Sequence, residues 1–282
     1  MRTITLRGVG IGTSALGFGT ASLMGRLGKR ASLRLLARAY DEGIRYFDTA
    51  PLYGYGESEA ILGIFARHRT DIAIGTKFGL APRHRPPGFI SIAKGVARPL
   101  LALAPGISRR VRRIADTALA PVAQFDLSSA RSSVSNSLRQ LRRTPIDVLL
   151  LHDCKIADLA NDALLEFLRD TRRRGDVRSF GIATNETTIR YAIEYAPGYA
   201  DVVQLANNLR ERSLEREPSI SAHRACITHS PFGGWGKPIE GGSPDPLRYA
   251  LEMNHDGIVL FSTQNEAHIA TNVRAVTESI YP

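Results

Sequence analysis

Apolar positions along this chain follow two rhythms. Short, nearly continuous apolar runs, the pattern of buried parallel strands, recur at Ala15 to Phe18, Ile44 to Phe47, Ile72 to Lys77, Val148 to His152, Phe180 to Ala183, Val202 to Leu205, Ala225 to Thr228 and Ile258 to Phe261. Between them the apolar residues recur at helical spacing. Leu33, Leu36, Ala37 and Tyr40 mark one face, closed by Gly43, and Ala60, Ile61, Leu62 and Phe65 mark another, opened by Glu57. Helices are also predicted over Ser128–Leu141, Asp162–Arg174 (stopped by Gly175), Thr187–Tyr195, Leu247–Met253 and Glu266–Glu278. Between Asn207 and Arg224 a helix is predicted that Pro218 interrupts. Ahead of the first run, Thr3–Leu6 followed by Gly8, Gly10 and Gly12 predicts a short hairpin. Eight apolar runs alternating with helical segments predict a repeated βα unit, hence an α/β fold with a parallel sheet, in a single domain over 1–282.

One interval breaks the rhythm. Phe78 to Asp126 spans about 49 residues where a strand-to-helix connection usually takes two to six. It holds Pro82, Pro86, Pro87, Pro99, Pro105 and Pro121, and apolar pieces at Phe89-Ile90 and Leu100–Leu103. From Gly79 to Ala115 it carries Arg83, Arg85, Lys94, Arg98, Arg109, Arg110, Arg112 and Arg113 with no Asp or Glu, which concentrates much of the formal net charge of +10. Such charge suits acidic ligands or surfaces; the sparse aromatic interleaving, Phe78, Phe89 and Phe125, argues against a single-stranded nucleic-acid groove. Two cysteines, Cys154 and Cys226, imply no disulfide framework, and Met1–Arg7 lacks the apolar core of a signal peptide, so a cytoplasmic location is expected. No run approaches the roughly 18 apolar residues of a membrane span.

Three polar residues stand at the ends of successive predicted strands: Asp48, Lys77 and His152. In a parallel barrel the carboxyl ends of the strands gather on one face, where active sites form. The loop after Asp48, Thr49-Ala50-Pro51-Leu52-Tyr53-Gly54-Tyr55-Gly56-Glu57, brings Tyr53 to the same face. A phenol titrates near 10, so an ammonium is expected to bring its pKa down, and a carboxylate beside that ammonium to keep it charged and placed. An imidazole can share the proton or orient a carbonyl. That set suits proton transfer to a carbonyl oxygen as hydride reaches the carbon, or the reverse removal of an alcohol proton.

The segment Phe47-Asp48-Thr49-Ala50-Pro51-Leu52-Tyr53-Gly54-Tyr55-Gly56-Glu57-Ser58-Glu59 closely resembles the signature of the aldo-keto reductases, NAD(P)(H)-dependent oxidoreductases built on a (β/α)8 TIM barrel. Asp48, Tyr53, Lys77 and His152 match that family's Asp-Tyr-Lys-His tetrad, so the resemblance implies Tyr53 as general acid/base. Gly181-Ile182-Ala183-Thr184-Asn185 stands where the family has a Gly-x-Ser-Asn segment on the nicotinamide carboxamide; Asn185 matches, Thr184 keeps the hydroxyl, and Gln204 matches the third partner. His229-Ser230-Pro231-Phe232-Gly233 resembles the pyrophosphate segment Tyr-Ser-Pro-Leu-Gly, with His229 in place of the stacking ring. Ser262, Thr263, His268 and Asn272 fall in the adenosine-phosphate segment; Asn272 matches the adenine contact. Strong NADPH binders carry Lys and Arg where this chain has Ser262 and His268, so weak discrimination or a tilt toward NAD(H) is expected, unless Lys237 or the basic insertion substitutes.

The resemblance therefore implies NAD(H) or NADP(H) as cofactor, a small carbonyl or alcohol as substrate (an aldehyde, ketone or aldose-like compound), no metal, and a hairpin plugging the barrel's bottom. A non-catalytic nucleotide-binding regulatory member is the alternative, against which the intact tetrad argues. A pyridoxal-phosphate barrel with Lys77 as Schiff base lacks the phosphate-loop glycines, and no Gly-x-Gly-x-x-Gly fingerprint marks a Rossmann domain. The family usually covers its substrate pocket with a tail beyond the last helix. Here that helix is expected to end near Glu278, four residues before Pro282, so the expected cover is the 79–124 insertion, a lid between strand 3 and helix 3 favouring a substrate with an acidic or extended apolar part.

Overall fold

This computed structural model describes residues 1–24, 27–81, 121–222, 224–233 and 245–280. Its strands in chain order are β1 (Thr3–Leu6), β2 (Ile11–Ser14), β3 (Leu16–Gly19), β4 (Tyr46–Asp48), β5 (Ala73–Phe78), β6 (Leu80–Ala81), β7 (Val122–Ala123), β8 (Ile146–His152), β9 (Val177–Ala183), β10 (Val202–Ala206), β11 (Ala225–His229) and β12 (Ile258–Phe261). The helices are α1 (Lys29–Asp41), α2 (Ser58–Ala66), α3 (Leu127–Leu141), α4 (Asp162–Arg173), α5 (Glu186–Tyr195), α6 (Ser213–Arg216), α7 (Ser219–Ala222), α8 (Pro246–Met253) and α9 (Glu266–Ile280). β3, β4, β5, β8, β9, β10, β11 and β12 pair in parallel in that circular order and close a barrel, with helices between them as the βα rhythm predicts.

Two apolar clusters follow from the period-2 alternation of strand side chains. One set faces the barrel interior: Tyr46, Ala73, Val148, Leu150, Ala183, Val202, Ala225, Ile227, Ile258 and Leu260. The alternate residues, among them Phe18, Phe47, Ile74, Leu149, Phe180, Val203, Val259 and Phe261, face outward onto Leu36, Leu62, Val134, Leu164, Ile189, Leu247 and Ile269 of the helices. The β1–β2 hairpin is antiparallel, and its Leu6 and Ile11 join the interior cluster, among residues at the amino-terminal ends of the strands. The hairpin thus plugs the end opposite the strand carboxyl ends. Tyr46, fully buried in this interior, has glycines for neighbours: a Cβ at Gly75 would lie 2.1 Å from the Tyr46 hydroxyl and one at Gly17 would lie 3.0 Å from its ring.

Two details differ from the sequence expectation. The N-cap of α3 is Asp126, two residues before Ser128, because its carboxylate accepts from the Ser129 backbone N–H at 2.9 Å and from Ser128 Oγ at 2.6 Å. Pro218 does more than interrupt the 207–224 segment. It has no N–H to continue the ladder, so α6 and α7 are separate single turns on either side of Glu217-Pro218.

Residues Met1–Gly79 with Phe125–Pro282 form one compact unit and Leu80–Gln124 a second. In the second, β6 and β7 pair antiparallel, Leu80 opposite Ala123 and Ala81 opposite Val122. The rest of the insertion, 82–120, which carries the expected lid, its basic residues and its apolar pieces, lies outside the described residues, as do Lys237 and Pro282. Among the described residues no helix is long and apolar enough to cross a membrane.

Candidate active site

The inward set of the barrel turns polar at the strand carboxyl ends. Asp48 closes β4, His152 closes β8 and His229 closes β11, while Lys77 is the penultimate residue of β5 and Gln204 the third of β10. Strand register places Asp48 level with Gly75, so Lys77 lies one inward-facing position higher on the neighbouring strand, level with Leu150. From there its ammonium reaches down. Nζ contacts both Asp48 oxygens, Oδ2 at 2.7 Å, and donates to the Thr49 carbonyl at 3.0 Å. Lys77 and Asp48 are both almost completely buried. A fourth group arrives from the opposite wall: Gln204 Nε2 donates to Asp48 Oδ2 at 3.1 Å. The family resemblance assigned Gln204 to the cofactor alone; its bond to Asp48 spans a barrel in which three strands separate β4 from β10 on either side.

Tyr53 is delivered by a turn, Tyr53–Gly56, that needs two consecutive left-handed residues, Gly54 and Tyr55, both at φ +59°. Gly54 is required twice over, since a Cβ there would also fall 2.6 Å from the Leu23 carbonyl oxygen. The Tyr53 ring stands edge-on to His152 with centroids 5.9 Å apart, and Lys77 Nζ lies 4.9 Å from its centroid. All four tetrad residues matched by resemblance are therefore gathered at one place.

The electrostatics reverse the expectation of a lowered phenol. Burial pushes Tyr53 up, while the Lys77 charge and a hydrogen bond from Lys77 pull it down by less, so the phenol titrates above its ordinary value. Burial pushes Lys77 down, but the charges of Asp48 and Tyr53 and the hydrogen bonds to both more than offset it and hold the ammonium above its ordinary value. Burial and the Lys77 charge push His152 down to about 3, with a smaller contribution from His229, and push His229 down to about 4. Both imidazoles are neutral near pH 7.

This carries a prediction about stability. In the unfolded chain the two imidazoles take up protons near 6.5, whereas the folded protein resists until about 3 and 4. Between those limits only the unfolded state gains protons, so stability is fully present above about 6.5 and declines as pH falls through the window. The urea midpoint is expected to fall steadily from pH 7 to about 4.5. Replacing both residues by Gln should flatten that slope, and an unchanged slope in the double variant would refute the assignment.

The expected cofactor residues occupy the same face. Asn185 accepts from the Thr188 N–H at 3.0 Å as the N-cap of α5, and Thr184 Oγ1 donates to the Cys154 carbonyl at 2.8 Å. Asn185 Nδ2 and Gln204 Oε1 take no part in these bonds and would offer a donor and an acceptor to a carboxamide. Next to them, His229 Nδ1 meets Ser230 Oγ at 2.9 Å, and Ser230 and Gly233, both at positive φ, form a tight turn closed by Gly233 N–H to Ser230 O at 3.0 Å, with Phe232 exposed. Ser262 and His268 are exposed and Thr263 and Asn272 partly buried around the start of α9, where Thr263 Oγ1 and His268 Nδ1 are 3.5 Å apart. The donor set fits a nicotinamide nucleotide at its carboxamide end. Among the described residues no group of three or more His, Cys, Asp or Glu side chains could hold a metal.

Four polar side chains beneath this site escaped sequence reasoning: Thr20, Ser58, Glu59 and Thr76, all buried and hydrogen-bonded to one another or to the loop carrying Asp48 and Thr49. The signal available was polar residues directly adjoining strand ends within otherwise apolar stretches.

Comparison with known proteins bears on the family and the fold. Pyridoxal 4-dehydrogenase of Microbacterium luteolum is 31% identical over 232 residues, 74% of this chain and 63% of its own length. D-threo-aldose 1-dehydrogenase of Pseudomonas sp is 31% identical over 232 residues, 78% of this chain and 64% of its own length. The chain thus spans less than two thirds of the length of these curated relatives. An aldo-keto reductase of Bacillus halodurans, solved in its holo form, superposes with a TM-score of 0.70 at 20% identity over 98% of this chain and 91% of its own, a likeness of fold. A model of the aldo/keto reductase family matches residues 10–217, most of the chain, and with the two relatives it shows that this chain belongs to the aldo/keto reductase family.

Proposed function

We propose that this protein is an NAD(P)(H)-dependent oxidoreductase that interconverts a small carbonyl compound and its alcohol, with Tyr53 as the general acid and base. The observation carrying this reading is the buried Lys77 ammonium, fixed by both Asp48 oxygens and the Thr49 carbonyl while lying against the Tyr53 ring. A bound nicotinamide supplies or accepts the hydride. Tyr53, protonated at neutral pH, gives its proton to the carbonyl oxygen as negative charge develops there, and Lys77 stabilises the phenolate left behind. In the oxidative direction the same phenolate takes the alcohol proton. His152, neutral, orients the substrate oxygen by hydrogen bonding and does not act as a proton donor of its own.

Asn185 and Gln204 would hold the carboxamide, with Thr184 beside them; His229, Ser230, Phe232 and Gly233 would line the pyrophosphate; Ser262, Thr263, His268 and Asn272 would receive the adenosine end. The relatives' names, for a dehydrogenase of pyridoxal and one of D-threo-aldoses, favour a polar aldehyde or its cyclic hemiacetal as substrate. Two buried, unpaired thiols, Cys154 and Cys226, support a reducing cytoplasm as its location.

The test is turnover of 4-nitrobenzaldehyde and DL-glyceraldehyde with NADH and with NADPH, together with fluorescence titration of both nucleotides. Turnover at a rate absent from a Tyr53→Phe control is expected; none with either nucleotide, in protein that binds neither, would refute the reading. Because Ser262 and His268 present no Lys or Arg to a 2′-phosphate, weak discrimination or a tilt toward NADH is expected, with no preference for NADPH above about a hundredfold, about 2.7 kcal/mol. A larger preference for NADPH would refute that part alone.

A further inference from the structure

A directional chain of three buried hydroxyls runs beneath the loop that carries Tyr53. Thr49 Oγ1 donates to Ser58 Oγ at 3.2 Å, Ser58 Oγ donates to Thr20 Oγ1 at 2.7 Å, and Thr20 Oγ1 donates to the Asp48 carbonyl at 3.0 Å. Ser58 Oγ also lies 3.3 Å from the Thr20 carbonyl oxygen, its longer contact, and all three residues are fully buried. The chain begins and ends on consecutive residues, Thr49 and Asp48. These are also the two residues that hold Lys77, through the Thr49 carbonyl at 3.0 Å and the Asp48 carboxylate. The Asp48 carbonyl is pinned a second time by the Thr20 N–H at 2.9 Å.

The same chain closes the catalytic loop. Thr49 lies just before the segment that contains the Tyr53 turn and Ser58 just after it, so their hydrogen bond ties its two ends. At the next position along α2, Glu59 accepts from Thr76 Oγ1 at 2.7 Å, and Thr76 immediately precedes Lys77 on β5. The first two residues of α2 thus fasten the ends of β3, β4 and β5 around one ammonium.

We infer that Thr20, Thr49 and Ser58 are positioning residues whose hydroxyl chain sets the distance between the Lys77 ammonium and the Tyr53 phenol, and so the ease with which that phenol releases its proton. The inference rests on the reading of Tyr53 as the general acid and base. Apolar side chains of the same shape would pack this space equally well but would leave the loop free to shift along the strand ends. A small displacement of Lys77 away from the phenol removes an attraction that opposes burial, which makes Tyr53 harder to ionise.

Thr20→Val is isosteric and removes the chain's last donor, the hydroxyl that reaches the Asp48 carbonyl, while Thr20→Ser keeps it. With [13Cζ]tyrosine-labelled protein, the Tyr53 signal is assigned by its loss in Tyr53→Phe. Its titration is expected to move upward by about half a pH unit or more in Thr20→Val and to stay near wild type in Thr20→Ser. Turnover of 4-nitrobenzaldehyde should fall about tenfold in Thr20→Val, with nucleotide affinity unchanged, and be largely restored in Thr20→Ser. Thr49→Val, which removes the first donor, should behave as Thr20→Val does and serves in its place should that variant not fold. A lowered melting temperature with wild-type titration and turnover would show a purely structural role and overturn the inference. Wild-type turnover in Tyr53→Phe would instead overturn the reading beneath it, so the two failures are distinct.

Discussion

Tyr53→Phe is expected to lose about a hundred- to ten-thousand-fold of turnover while binding NADH or NADPH as the wild type does. The substitution removes one hydroxyl and keeps the ring, so the edge-on contact with His152 at 5.9 Å and the ring face toward Lys77 at 4.9 Å survive. The fold therefore has little reason to change. What disappears is the group that is protonated at neutral pH and stands beside a fixed ammonium. That group acts only as charge develops on the substrate oxygen, so its loss falls on the chemical step and not on nucleotide affinity. Stopped or steady-state assays with 4-nitrobenzaldehyde, paired with fluorescence titration of nucleotide, measure both quantities. Turnover within a few-fold of wild type would remove Tyr53 from the mechanism.

Lys77→Met should be costly twice. It strips the counter-charge from the Asp48 carboxylate, which is almost completely buried and retains among its described partners only the Gln204 amide. Removing one member of a buried ion pair costs about 3–5 kcal/mol, mainly because the remaining charge is stranded away from water. Turnover should fall as well, because the phenol loses the one neighbour that favours its ionisation. The two effects separate in the double variant Lys77→Met/Asp48→Asn. An amide is neutral, so urea unfolding should show most of the lost stability restored, while turnover stays at the level of the single variant. Recovery of turnover in the double variant would contradict the role given to Lys77, and a single variant as stable as wild type would contradict the burial argument.

How much of this was legible beforehand divides along physical lines. The eight barrel strands and the helices after them were readable because each depends on local periodicity. A buried parallel strand must be apolar on both faces, and a helix covering it must be apolar on one. The same alternation makes Asp48, Lys77 and His152 inward-facing strand-end residues, and the Gly54 turn after Pro51 announces a loop aimed over them. The family resemblance then named their partner, Tyr53, from residue order alone. The hairpin at the opposite end followed from its glycines.

Only the closed barrel decided the rest. Gln204 meets Asp48 because the ring of strands brings opposite walls within side-chain reach of one another, a distance no local pattern encodes. Thr20, Ser58 and Thr76 look like ordinary turn and strand hydroxyls in the sequence; the strand stagger is what stacks them under one loop. The phenol of Tyr53 titrates above its ordinary value, against the expectation drawn from its charged neighbour, because burial depends on everything packed around the group and here outweighs one favourable charge. Residue types and their periodicity thus determined which groups line the mouth of the barrel. Their mutual distances, hydrogen-bond partners and protonation came from long-range closure, since those quantities depend on atoms that are far apart in the chain and adjacent only in the folded molecule.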